Sequence, residues 1–416
     1  MRKAASILLS LLVLAGPLAA ADEIAPGDNL VTSGLPALSA SLAENSARYT
    51  EFRTASLFGW HPTRRELLIS TRFGDTNQVH VVRTPLGARS QLTFFADRVA
   101  AARFSPAPTA GDYFVFNKDS GGNEFAQNYR FDLTSGRVTL LTDGKSKNTL
   151  GVFSTKGDRL AYTSTRRNGK DTDIYVVDPR RPDSDRRVAE VTSGGWDVLD
   201  WSPDDKQLLV QEYVSIEQSA LWLVDVASGN RRLLTPKTDG KVSYADARFG
   251  ADGRTVYAGT DRGSEFLKLI AIDTSTGAQS PVASPQWDVE EFAVSPDGKR
   301  LAYVTNEDGI ARLHLLDLTT GKALAVPQPG DGVISDLEWH PRGRDLGFSF
   351  ASARAPGDVY SLDTTTGKLV RWTASETGGV DPNSFAEPKL VRWKSFDSRT
   401  ISGFLYEPPD RFTGRR

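Results

Sequence analysis

The chain has 416 residues, of which 39% are hydrophobic and 25% charged, with a formal net charge of −2. That balance excludes a disordered chain and lacks the basic excess of a nucleic-acid binder. Cysteine is absent, which excludes disulfides, thiolate catalysis and cysteine-ligated metals.

Residues 1–21 read as a leader. Arg2 and Lys3 precede an apolar run from Ala4 to Ala15, and Ala19-Ala20-Ala21 places small residues at −3 and −1 of a cleavage before Asp22. The run is short of the roughly 20 residues that span a bilayer, so a cleaved signal peptide is expected rather than an anchor. With no cysteine to carry a lipid, the expected location is the periplasm or the medium, with no membrane contact after cleavage. Residues 22–50 form an N-terminal segment.

From residue 51 to 376 one phrase recurs: an apolar residue, a small residue or histidine, then a turn and an apolar strand. It reads Trp60-His61-Pro62, Phe104-Ser105-Pro106, Phe153-Ser154-Thr155, Trp201-Ser202-Pro203, Phe249-Gly250-Ala251, Val294-Ser295-Pro296 and Trp339-His340-Pro341, at steps of 44 to 49 residues. Each copy continues into a short apolar strand such as Leu301-Ala302-Tyr303-Val304. An alternating strand ending in Asp follows, such as Leu313-His314-Leu315-Leu316-Asp317, and then usually a Ser/Thr-Gly turn and an outer strand. Period-two alternation and Asp/Gly turns mean strands joined by hairpins. Four strands cannot bury both faces alone, but seven copies stacked radially can. The fold class expected is all-β, a seven-bladed propeller of four-stranded blades, followed in residues 377–416 by a linker and a hairpin.

Candidate chemistry is sparse. His61 and His340 fill a slot that four other copies give to serine in the same phrase, and His80 and His314 lie inside strands, so all four read as structural. Gly347-Phe348-Ser349-Phe350-Ala351 approaches a nucleophile elbow, but no helix follows and alanine replaces the last glycine. The repeated Asp132, Asp178, Asp225, Asp273, Asp317 and Asp363 sit where a carboxylate accepts from its own turn. No catalytic residue, metal site or cofactor is expected. The loops between second and third strands escape the repeat and all fall on one face of the disc. Their Asp119, Asn123, Glu124, Arg166, Arg167, Asp261, Arg262 and Glu265 are candidates for facing a substrate or a partner domain, although ordinary solvated loops would look the same.

The segment Lys394-Ser395-Phe396-Asp397 with Thr400-Ile401-Ser402-Gly403-Phe404-Leu405-Tyr406-Glu407-Pro408 resembles the opening of the α/β-hydrolase domain in the prolyl oligopeptidase family, which includes acylaminoacyl peptidases and dipeptidyl aminopeptidases. Ser398 stands where members have glycine. Tyr49, Phe52 and Arg53, and the Gly121-Gly122-Asn123-Glu124-Phe125 loop, are also similar to exported bacterial members. The resemblance implies a propeller that restricts entry to short peptides, with a Ser/Asp/His triad on a hydrolase domain expected to lie beyond residue 416. The chain alone would then be inactive, and its apolar hairpin an aggregation liability. The alternative is a stand-alone TolB-like propeller that binds a protein or peptide.

Overall fold

The computed structural model describes residues 22–106, 111–193, 195–237 and 240–408; the leader lies outside them. Seven four-stranded antiparallel sheets follow one another along the chain, as expected. Blade one runs Ser56–Trp60, Leu67–Thr71, Gln78–Val82, Arg89–Gln91, and blade seven ends with Lys368–Arg371.

Burial explains the sequence pattern of each blade. Second strands such as Leu67–Thr71 and Leu160–Ser164 are buried at every position, because a neighbouring blade covers each face. They are therefore continuous apolar runs. Outer strands such as Arg231–Leu233 have no buried residue and are correspondingly charged. The repeated aspartates hold their own turns. Asp273 Oδ1 accepts from the N–H groups of Ser275 (3.0 Å) and Thr276 (2.8 Å), and Gly277 follows at φ +73°. Asp317 and Asp363 do the same.

Seven apolar clusters fill the seven interfaces between blades. The repeated tryptophan is the staple. Trp201 Nε1 donates to the Val152 carbonyl of the preceding blade (2.9 Å), and Trp339 Nε1 to that of Ala293 (3.1 Å).

Among the described residues no strand is shared to close the ring: blade one is built from consecutive strands, and so is blade seven. Closure uses side-chain contacts and a few backbone hydrogen bonds, among them Ala55 N–H to the Gly357 carbonyl (2.7 Å). Trp60 Nε1 donates to the Glu338 carbonyl (3.0 Å), and its ring meets Trp372 and His340 edge-on at 5.6 and 5.2 Å. Leu57 N–H donates to Ser349 Oγ (2.8 Å), and Arg65 reaches Asp345 and Ser361. Ser349 is thus a strand residue within Asp345–Ser352. The histidines are also architectural: His61 Nδ1 accepts from Arg64 N–H (3.1 Å), and His340 Nδ1 from Arg342 N–H (3.1 Å). His80 is buried in its strand, and His314 stacks on Tyr303.

Two additions flank the ring. Within residues 22–50 a helix, Ala40–Thr50, begins at Ser39, whose hydroxyl accepts from Leu42 N–H (3.2 Å), and it buries no residue. At the other end Lys389–Lys394 and Thr400–Leu405 pair as the expected hairpin. One side of it rests on the blade-six turn: Arg392 pairs with Asp308, and Phe404 lies so close to Gly309 that a Cβ there would meet its ring at 2.8 Å. Trp393 on the other side is half exposed.

Candidate functional site

The inner strands of the blades surround a central channel of about 860 Å³. Their sequences place charge in it by a repeated rule. The residue just before the aromatic or apolar position of the phrase is Gly59, Arg103, Val152, Asp200, Arg248, Ala293 and Glu338 in blades one to seven. Four of the seven are charged, with signs alternating as Arg, Asp, Arg, Glu. All four line the channel, and Arg103, Asp200 and Glu338 also line a second cavity of about 350 Å³ beside the phrase turns. These charges therefore mark the waist between the two spaces.

Bulges direct the rest of the lining. Five inner strands slip register just before the waist, in blades one, four, five, six and seven. A bulge adds a residue and re-aims its neighbours. In blades five and seven the slip includes an aspartate in the left-handed region, Asp246 at φ +39° and Asp336 at φ +58°, a conformation aspartate tolerates. With Glu291 of blade six they line the channel body.

Three channel carboxylates also serve the backbone of the next blade. Asp200 Oδ2 accepts from Phe249 N–H (2.8 Å), Glu291 Oε1 from Leu337 N–H (2.7 Å), and Glu338 Oε1 from Trp60 N–H (3.2 Å). Gly59, at φ +154°, leaves room for that last carboxylate, since a Cβ there would lie 2.9 Å from it. Arg248 pairs with Asp246 at 2.7 Å. Burial raises the carboxyls of Asp197 and Asp200. It pushes Glu291 up to about 7, with Asp336 and Asp246 adding to the rise against Leu337 N–H and Arg248. Glu338 is pushed up to about 7 by burial, with Arg103 opposing. Burial lowers Arg103.

The stability consequence has a definite sign. The folded chain holds the Glu291 proton more tightly than the unfolded chain, where the ordinary value is 4.5. Its favourable contribution is complete below that value and is lost as pH rises through about 7. Glu291→Gln is expected to raise the melting temperature at pH 8 by about 2–4 °C and to leave it unchanged at pH 4. An equal shift at both pH values would contradict the assignment.

The residues singled out from the sequence lie elsewhere, on the loops between second and third strands. Asp119 Oδ2 accepts from Glu124 N–H (2.9 Å), and Asn123 Oδ1 from Phe125 N–H (3.0 Å), so these two shape their own loop; Glu124 is exposed. Arg166 pairs with Asp185 and lies 3.5 Å over the Tyr175 ring. Arg167 grips Asp173 (2.6 Å) and Asp171 (2.9 Å). Asp261 accepts from Ser243 N–H (2.8 Å), and Arg262 donates to Gln279 (3.1 Å). Glu265 reaches Arg399 of the hairpin at 3.7 Å. The channel charges were missed, although their signal was in the sequence: a charge in an inner-strand slot that other copies give to glycine, valine or alanine.

A solved prolyl endopeptidase structure superposes with a TM-score of 0.72 at 17% identity, over 88% of this chain and 57% of that one. Eukaryotic translation initiation factor 3 subunit I of Drosophila virilis is 23% identical over 252 residues, 56% of this chain and 75% of that protein. The uncharacterized peptidase YuxL of Bacillus subtilis (strain 168) is 25% identical over 209 residues, 50% of this chain but 29% of its own length. Residues 96–375 match the family model of the prolyl oligopeptidase N-terminal β-propeller domain. On that match, which covers most of the seven blades, the chain belongs to the prolyl oligopeptidase family through its propeller.

Proposed function

We propose that this propeller admits and selects substrate for a serine peptidase of short peptides, with the chemistry carried by an α/β-hydrolase domain on the face of the second-to-third-strand loops. The observation that carries the reading is where apolar side chains remain exposed. Phe73, Phe125 and Ile216 project from those loops, and Phe94 from the crossing between blades one and two on the same face. The hairpin lies there too, against the blade-six turn, with Trp393 and Leu405 still exposed. Several large apolar side chains left exposed on one face are what an interaction site offers. The channel enters the disc among the same loops, because each inner strand starts from that face.

Residues 22–416, purified, are expected to bind a pentapeptide saturably without cleaving it. Hydrolysis of a peptide ester by this chain, blocked by a serine-directed reagent, would refute the division of labour. Export belongs to the same proposal and rests on the leader-like residues 1–21. Recovery of the chain with an uncut leader in the cytoplasmic fraction would reject it.

A further inference from the structure

The channel charges are not spread evenly around the lumen. Blades five, six and seven are consecutive in the ring, and each contributes a carboxylate to one layer: Asp246, Glu291 and Asp336. Blades one, two and three supply a single charge, Arg103, to the opposing wall, beside Ser56, Ser70 and apolar groups such as Phe58, Leu150 and Val152. The channel is therefore two-sided, acidic on one arc and, among the described lining residues, free of carboxylates across from it. Its lining holds five carboxylates, counting Asp200 and Glu338, against the two guanidiniums of Arg103 and Arg248. Among the described residues no three His, Asp or Glu side chains are placed to hold a metal ion. The arc is a spread field rather than a chelating point, and it faces a mixed wall with some apolar groups, Leu150 and Val152 among them.

We infer that the channel selects peptides by charge: it favours those carrying positive charge beside an apolar side chain and disfavours acidic ones. The inference rests on the peptide-admitting function proposed above and names the substrate class. A cleft lined by one sign of charge within low-dielectric walls concentrates counter-ions and repels co-ions. A lysine, arginine or free amino terminus meets Asp246, Glu291 and Asp336, while a neighbouring apolar side chain covers Leu150 or Val152. An acidic peptide of equal size meets the same arc with unfavourable sign and gains only the apolar contact. Asp246 is already engaged by Arg248, so Glu291 and Asp336 carry most of the discrimination.

The test compares two pentapeptide amides by calorimetry at pH 8, where Glu291 is mainly ionised: Lys-Ala-Phe-Ala-Lys and acetyl-Glu-Ala-Phe-Ala-Glu. The cationic peptide is expected to bind residues 22–416 at least about tenfold more tightly, the gap narrowing as salt is added. The triple variant Asp246→Asn, Glu291→Gln, Asp336→Asn is expected to bring the gap below about threefold. Asparagine tolerates the left-handed backbone at both aspartate positions. If the triple variant does not fold, Asp336→Asn alone narrows the gap by a smaller factor. Arg103→Gln moves it the other way, which a loss of structure would not do. Equal binding of both peptides, or a gap untouched by these variants, overturns charge selection and leaves peptide admission standing. Binding of neither peptide overturns both.

Discussion

Replacing Trp60 by alanine is expected to cost about 3–5 kcal/mol and to loosen blades one and seven together. Trp60 is 3% exposed and takes part in the packing, ring contacts and hydrogen bonding of the seam. The Gly347 backbone packs against it, so closely that a Cβ would lie 2.8 Å from Nε1. Elsewhere in the ring neighbouring blades are joined by the chain itself; here side chains and a few backbone hydrogen bonds, such as Ala55 N–H to the Gly357 carbonyl, do the joining. The expected signature is faster amide exchange at Ala55 and Leu57, whose N–H groups donate to Gly357 and Ser349 across the seam. Phe104→Ala, in the same slot of blade two, is the control and is expected to leave those amides protected. A loss below about 1 kcal/mol for Trp60→Ala would mean that other contacts close the ring.

Arg166→Ala is expected to lower stability by about 2–3 kcal/mol in urea unfolding at pH 7. The guanidinium lies over Tyr175 and pairs with Asp185, which also accepts from the Tyr162 hydroxyl at 2.9 Å. Removing the cation leaves a largely buried carboxylate with only that phenol. Asp185→Asn in the same chain is expected to recover part of the loss by removing the stranded charge. An unchanged midpoint for Arg166→Ala would restore the loop arginine to the docking surface suggested by its sequence.

These two residues show what the sequence carried and what it did not. Blade number was legible because burial of both sheet faces must be solved again in every copy, so the solution is written seven times. The aspartate turns were legible because the partner of Asp273 or Asp317 is two or three residues away. Arg166 and Arg167 looked free because Asp185 and Asp173 lie in strands the loop does not announce. Ring closure was invisible for a related reason: Leu57 and Ser349 are 292 positions apart. The helix Ala40–Thr50 escaped because it buries nothing and has only Leu42 and Tyr49 as large apolar residues, too few to mark a face. The channel charges are an intermediate case. Arg103, Asp200, Arg248 and Glu338 align by eye, but their meaning depends on which strand is innermost and which way each bulge turns it.

The seam has a mechanical consequence. The two flanks of the ring leave it side by side: Arg53 N–H donates to the Glu376 carbonyl (3.1 Å), their side chains pair at 3.2 Å, and Gly378 packs on the Arg48 carbonyl. Load pressing on the disc is shared by all seven interfaces at once. A tug that parts the flanks meets these few bonds one after another, as a zipper does, and reaches Trp60 next. Under tension the ring is expected to yield first at the one junction where no peptide bond carries the force.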